Sequence, residues 1–142
     1  MRVSDVMSTD VVVARINEPL SDAVYRMLEK NVGCIVVTDG PLVAGIITKG
    51  DVLRKAFLLG LDAREVSAKR VMSSPVVTTT PDTSLEEASK ILSANKISKL
   101  PVLKGSKLVG VITSTDIIGA EPMQVAYLQE LVRARFVPHD LA

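Results

Sequence analysis

The chain has 142 residues, enough for one compact domain or for two small half-domains on a shared core. Apolar residues make up 47% of it and charged residues 23%, so a sizeable core can form beneath a polar surface. A formal net charge of +1, one cysteine (Cys34) and one histidine (His139) exclude bulk attraction to nucleic acid or an anionic membrane, a disulfide within the chain, a Cys/His zinc site and a Cys–His or Ser–His pair in a folded core.

The opening MRVSDVMSTD carries no secretory signal with an apolar stretch, and no apolar run nears the roughly 18 residues of a membrane span. The expectation is a soluble, cytoplasmic protein. A β-branched run, VVVARI, predicts a first strand. Leu20, Ala23, Val24, Met27 and Leu28 then fall on one face of a helix. Ile35–Val37 and Leu42–Ile47, joined through Asp39-Gly40-Pro41, predict a hairpin of buried strands. A second helix is predicted after Thr48 as far as Gly60, with Val52, Leu53, Ala56 and Phe57 inward. Residues 61–70 read as a connection.

From there the chain repeats itself at an offset of 65 residues, without a gap between residues 6 and 53. Val6-Met7-Ser8 falls on Val71-Met72-Ser73, Gly45 on Gly110, Ile47-Thr48 on Ile112-Thr113, and Asp51 on Asp116. VVTTTP predicts the matching strand, and Leu85, Ala88, Ile91 and Leu92 the matching helix face. Ser84 is placed to cap that helix, with Glu87 reaching back to its first amides. Leu100–Leu103 and Leu108–Ile112 give the second hairpin. The helix after Thr113 has room for about one turn, because Pro122 biases Glu121 away from helix. Residues 122–136 read as an extra helix with a Val125, Leu128, Val132 stripe and Tyr127 and Leu131 beside it. The fold class expected is α/β (α+β). It has two β-α-β-β-α repeats, residues 1–60 and 71–121, packed sheet to sheet with pseudo-two-fold symmetry. A linker spans 61–70, and a C-terminal helix and tail span 122–142.

This order of elements resembles the CBS domain, named from cystathionine β-synthase. The residues that carry the likeness are Val6-Met7 and Val71-Met72, Thr79-Thr80-Pro81-Asp82, Leu100-Pro101-Val102, and the two stretches Leu42–Asp51 and Leu108–Asp116. Together they span residues 1–118, so the chain looks like a stand-alone tandem pair. The resemblance implies a regulatory module that binds adenosyl compounds in two clefts between the repeats. AMP or ADP is favoured, with ATP or S-adenosylmethionine as further candidates. It also implies a homodimer and a regulated protein partner. No cofactor is required.

The central candidates are Thr48-x-x-Asp51 and Thr113-x-x-Asp116. Local chemistry alone explains both as capping boxes. The resemblance makes each aspartate a ribose acceptor, with Thr115 adding a hydroxyl in copy two where copy one has Gly50. Lys49 and Lys99 are solvated lysines on the plain reading and phosphate contacts on the family reading. Cys34, the counterpart of Lys99, is a buried small hydrophobe. By the same match Ser4, Thr9, Val32 and Gly33 would face Thr113–Asp116, and Lys69, Ser74, Ile97 and Ser98 would face Thr48–Asp51. None of these segments holds an aromatic residue, so adenine would lie between aliphatic side chains. Gly45 and Gly110 permit either a bulge or close ligand approach.

The alternative is a ligand-independent protein–protein adaptor in which both Thr/Asp pairs only cap helices. An enzyme is disfavoured, since the sequence offers no activated nucleophile, metal cluster or general base. Nucleic acid is disfavoured too: the 17 basic residues are scattered, with no aromatic platform.

Overall fold

The computed structural model describes residues 1–120 together with Leu128, Gln129 and Arg133. In chain order its elements are α1 (Val3–Val6), β1 (Val13–Arg15), α2 (Leu20–Glu29), β2 (Cys34–Asp39), β3 (Leu42–Thr48) and α3 (Lys49–Asp51). A π-helical stretch (Val52–Phe57) continues α3, and α4 (Ala68–Val71), α5 (Leu85–Asn95), β4 (Lys99–Lys104), β5 (Lys107–Thr113) and α6 (Ser114–Ala120) follow. The chain divides into two compact units. The copy-one unit holds Asp10–Val77 with Gly105–Leu108, and the copy-two unit holds Met1–Thr9, Thr78–Lys104 and the described residues from Val109 on. The segment preceding the first strand of each copy therefore belongs with the other copy.

In the copy-one unit, β1 runs parallel to β2 with Ala14 opposite Val37, and β2 runs antiparallel to β3 with Cys34 opposite Thr48. Its core is Leu20, Ala23 and Met27 from α2 packed on Ala14, Ile35, Val37 and Ile47 from the strands, with Ala56, Ala68 and Val71. Each fully buried Leu, Ile or Val side chain there contributes about 1.5–3 kcal/mol. In the copy-two unit, β4 pairs with β5. Leu85, Ala88, Leu92, Leu100, Val102, Ile112 and Ile117 are wholly buried.

Several expectations are corrected. VVTTTP shrinks from a strand to a single parallel bridge, Thr79 with Val102. Leu28 is 68% exposed, Leu53 62% and Phe57 76%, so these residues face outward. The helix expected to reach Gly60 ends at Phe57 in π-type bonding, with Leu58 N–H donating to the Leu53 carbonyl at 3.1 Å. Ser84 caps α5 through the Glu87 amide at 3.0 Å, which is the serine half of the predicted box. α6 extends over seven residues rather than one turn. The short helices α1 and α4 carry no periodic signal and were not expected. The predicted helix over 122–136 lies outside the described residues, except that Leu128, Gln129 and Arg133 are helical and Leu128 is buried.

The repeated glycines have a geometric cause. A Cβ on Gly45 would stand 2.7 Å from the Met72 sulfur and 2.8 Å from the Ser73 carbonyl. On Gly110 it would stand 2.7 Å from the Met7 sulfur and 2.9 Å from the Ser8 carbonyl. The glycines admit the Val-Met-Ser segment, which then bridges to the strand: Ser73 with Ile46, and Ser8 with Val111. The approach is by the chain itself. In copy one a bulge also sits beside Gly45, between the Val37–Gly45 and Thr38–Val43 pairs.

Candidate functional site

Each last hairpin strand ends in a threonine that starts a helix. Thr48 is extended (φ −107°, ψ 167°), and its hydroxyl accepts from the Asp51 amide at 3.2 Å. Asp51 Oδ2 returns the bond, accepting from the Thr48 amide at 2.9 Å and the Thr48 hydroxyl at 3.1 Å. At Thr113 the same box forms. Its amide donates to Asp116 Oδ2 at 3.0 Å, and its hydroxyl accepts from the Asp116 amide at 3.1 Å. The capping role read from the sequence is therefore present twice.

Beyond the box the two aspartates part. Asp51 is 2% exposed. Its Oδ1 accepts from the Ser73 hydroxyl at 2.9 Å and pairs with Lys55 Nζ at 3.2 Å and Arg54 at 3.7 Å. Lys55 also donates to the carbonyls of Val71 (3.2 Å) and Met72 (3.4 Å) and to the Ser73 hydroxyl (3.1 Å). Burial pushes the Asp51 carboxyl up. The Thr48 amide, the Ser73 hydroxyl and the Lys55 ammonium outweigh it and hold the group below the ordinary carboxylate value. Asp116 is half-buried, and among the described residues its Oδ1 has no partner.

The other predicted residues divide between the units. The copy-one unit holds Thr48, Lys49, Asp51, Val32, Gly33, Lys69 and Ser74. There the Gly33 carbonyl accepts from the Lys49 amide at 3.4 Å, Val32 and Gly33 are half-buried, and the Lys69 amide is spent on the Ile16 carbonyl at 3.0 Å. The side chains of Lys49, Lys69 and Ser74 are exposed. The copy-two unit holds Ser4, Thr9, Ile97, Ser98, Lys99, Thr113, Thr115 and Asp116. The Ser98 carbonyl accepts from the Ser114 amide at 2.9 Å, and Lys99 Nζ reaches the Ser98 hydroxyl at 3.4 Å. Ile97 is half-buried there, while Ser4, Thr9 and Thr115 are exposed. Sequence reasoning missed Ser73 and Lys55. Lys55 stood four residues after Asp51 on a helix, a visible ion-pair spacing. Ser73 lay in the repeated Val-Met-Ser motif but 22 residues from its partner.

A hollow of about 420 Å³ lined by Arg15, Asn17, Thr38 and Asp39 lies at the opposite end of β2 from Thr48, away from this chemistry. Among the described residues no helix is long and apolar enough to cross a membrane, and no cluster of His, Cys, Asp or Glu is placed to hold a metal ion.

The CBS domain family matches residues 3–57 and again 68–122. YhcV of Bacillus subtilis, a CBS domain-containing protein, is 30% identical over 115 residues, 81% of either chain. MK0525 of Methanopyrus kandleri, itself uncharacterized, is 34% identical over 132 residues; the match takes in 90% of this chain and 66% of that one. A solved CBS-domain structure from Burkholderia ambifaria superposes with a TM-score of 0.79 at 27% identity, covering 84% of this chain and 93% of the other. With both copies matched in full order, the chain belongs to the CBS domain family and carries a tandem pair of its domains.

Proposed function

We propose that this CBS pair is a regulatory module that binds adenosine ligands at its Thr-x-x-Asp helix starts and passes the signal to a protein partner. CBS domains generally take adenosine ligands. AMP or ADP comes first in this reading, with ATP and S-adenosylmethionine next. The observation that carries it is the Asp116 carboxylate. One oxygen is fixed by the Thr113 amide at 3.0 Å, and among the described residues the other has no partner, which makes it a ready acceptor for a ribose hydroxyl. The reading assigns no catalytic step and a cytoplasmic setting.

Pairing of two chains belongs to the same proposal. In copy one Tyr25, Leu28, Leu53, Phe57, Leu58 and Leu59 are all at least 62% exposed, and a second chain would give them cover. The copy-two counterparts of Tyr25 and Leu28 are Lys90 and Ser93.

Calorimetric titration with AMP, ADP, ATP and S-adenosylmethionine, with GMP as control, tests the reading. Micromolar binding of an adenosyl ligand with GMP silent is the expected result. No heat from any of them, with folding verified by circular dichroism, sinks it in favour of a ligand-independent adaptor.

A further inference from the structure

We infer that the two helix starts are unequal: Asp116 takes the ligand's ribose, while Lys55 latches Asp51 shut. The inference rests on the adenosine-binding reading above and concerns which half of the pair does the binding.

A carboxylate offers about four acceptor sites. At Asp51 four are taken, by the Thr48 amide and hydroxyl on Oδ2 and by Ser73 and Lys55 on Oδ1, all within 3.2 Å. The side chain is 3% exposed. A vicinal diol gains no bond there unless it first displaces one of the groups on Oδ1. Displacement is costly, because Lys55 is not a loose surface lysine. Its ammonium, on a half-buried side chain, also bonds two backbone carbonyls of the 71–72 segment, and charge-assisted bonds are stronger than neutral ones.

At the matching positions copy two lacks the cations of the latch. The counterpart of Lys55 is Ala120 and that of Arg54 is Gly119, neither of which carries a donor side chain. Ser8 replaces Ser73 and is exposed, and its bridge to Val111 uses backbone groups only. Asp116 keeps the cap through one oxygen and leaves the other unoccupied among the described residues. The basic side chain nearest in sequence to the Ser98 contact, Lys99, reaches the Ser98 hydroxyl.

The test uses the intact chain and AMP. Calorimetry should give one AMP per chain. Backbone amide shifts in a ¹⁵N spectrum should move over 113–117 and stay still over 48–52. Lys55→Met, which keeps an apolar stem but removes the ammonium, should add a second, weaker AMP site and bring shifts at 48–52. Two equal sites in the wild-type chain, or shifts confined to 48–52, would overturn the inference while leaving nucleotide binding intact. A folded Lys55→Met protein that still binds one AMP without shifts at 48–52 overturns the latch. If that variant does not fold, the wild-type stoichiometry and shifts decide alone. Absence of both heat and shifts in the wild-type chain instead overturns the adenosine reading itself.

Discussion

At residue 51 a carboxylate is wrapped by a threonine, a serine and a lysine, and 65 residues later its copy keeps the threonine alone. The hairpins, the capping boxes and the glycines that admit the Val-Met-Ser segment are common to both copies. The Lys55–Ser73 network, the apolar outer residues Tyr25 and Leu28 and the three-residue strand β1 belong to copy one only. What both copies retain is what backbone geometry demands at close range. What differs is whatever a side chain could lose without disturbing that geometry. The copies thus separate the scaffold from the uses made of it.

The comparison breaks most visibly at the aspartates. Asp51→Ala removes a buried charge and leaves Lys55 facing two carbonyls without its anion, at a cost of about 2–3 kcal/mol after discounting for the partial exposure of Lys55. Asp116→Ala removes half of a capping box and should cost about 1 kcal/mol. Urea midpoints of the two variants measure the gap, and equal losses would show that Lys55 and Ser73 add nothing. The sign with pH follows from the lowered Asp51 carboxyl. The unfolded chain binds a proton near the ordinary Asp value of about 3.9. The contribution of Asp51 is then complete above that value and is lost as pH falls through the lower folded value. Lys55→Met weakens that dependence, so its urea midpoint should fall less steeply than wild type on acidification below about pH 4.

The glycines should behave alike where the aspartates do not. Gly45→Ala and Gly110→Ala each drive a Cβ to within 3 Å of a carbonyl oxygen and a methionine sulfur. The methionine can swing away, but the carbonyl belongs to a bridging residue. Each substitution should cost about 1–3 kcal/mol, as overpacking does. A loss at one glycine and none at the other, read from thermal unfolding, would mean that only one copy needs its Val-Met-Ser segment held close.

Much of this was legible in the sequence, for identifiable reasons. The hairpins were, because short apolar runs flank Gly40 and Gly105, and both glycines adopt positive φ (58° and 65°). The capping boxes were too, because their partners lie three residues apart. The exchange of the Val-Met-Ser segments had no local signal, since a bridge such as Ser8 to Val111 joins residues far apart in the chain. The outward turn of Leu53 and Phe57 was hidden for two reasons. The inward assignment assumed α-type spacing where the bonding is π-type, and apolar residues mark an interaction face as readily as a core. The closed state of Asp51 was half visible: Lys55 stood at helical spacing, but only the folded chain brings Ser73 to it.

The smallest effect should be a gain. Thr79 is 5% exposed, and its hydroxyl has no hydrogen-bond partner among the described residues. Its backbone is well used: its amide donates to the Pro101 carbonyl at 3.0 Å, and its carbonyl accepts from the Leu103 amide at 2.9 Å. The counterpart in copy one is Ala14, opposite Val37 as Thr79 is opposite Val102, so the same place in the repeat is apolar there. An unpaired buried hydroxyl costs about 1–3 kcal/mol, and replacing it by a methyl of the same shape removes that cost without opening a cavity. Thr79→Val should therefore raise stability by about 1 kcal/mol, since the β-branched shape also suits an extended backbone. Thr79→Ala should gain less, because it gives up a buried methyl group. A urea midpoint that falls in Thr79→Val would show that the hydroxyl is bonded in solution, and that copy two has a use for Thr79 that Ala14 does not serve in copy one.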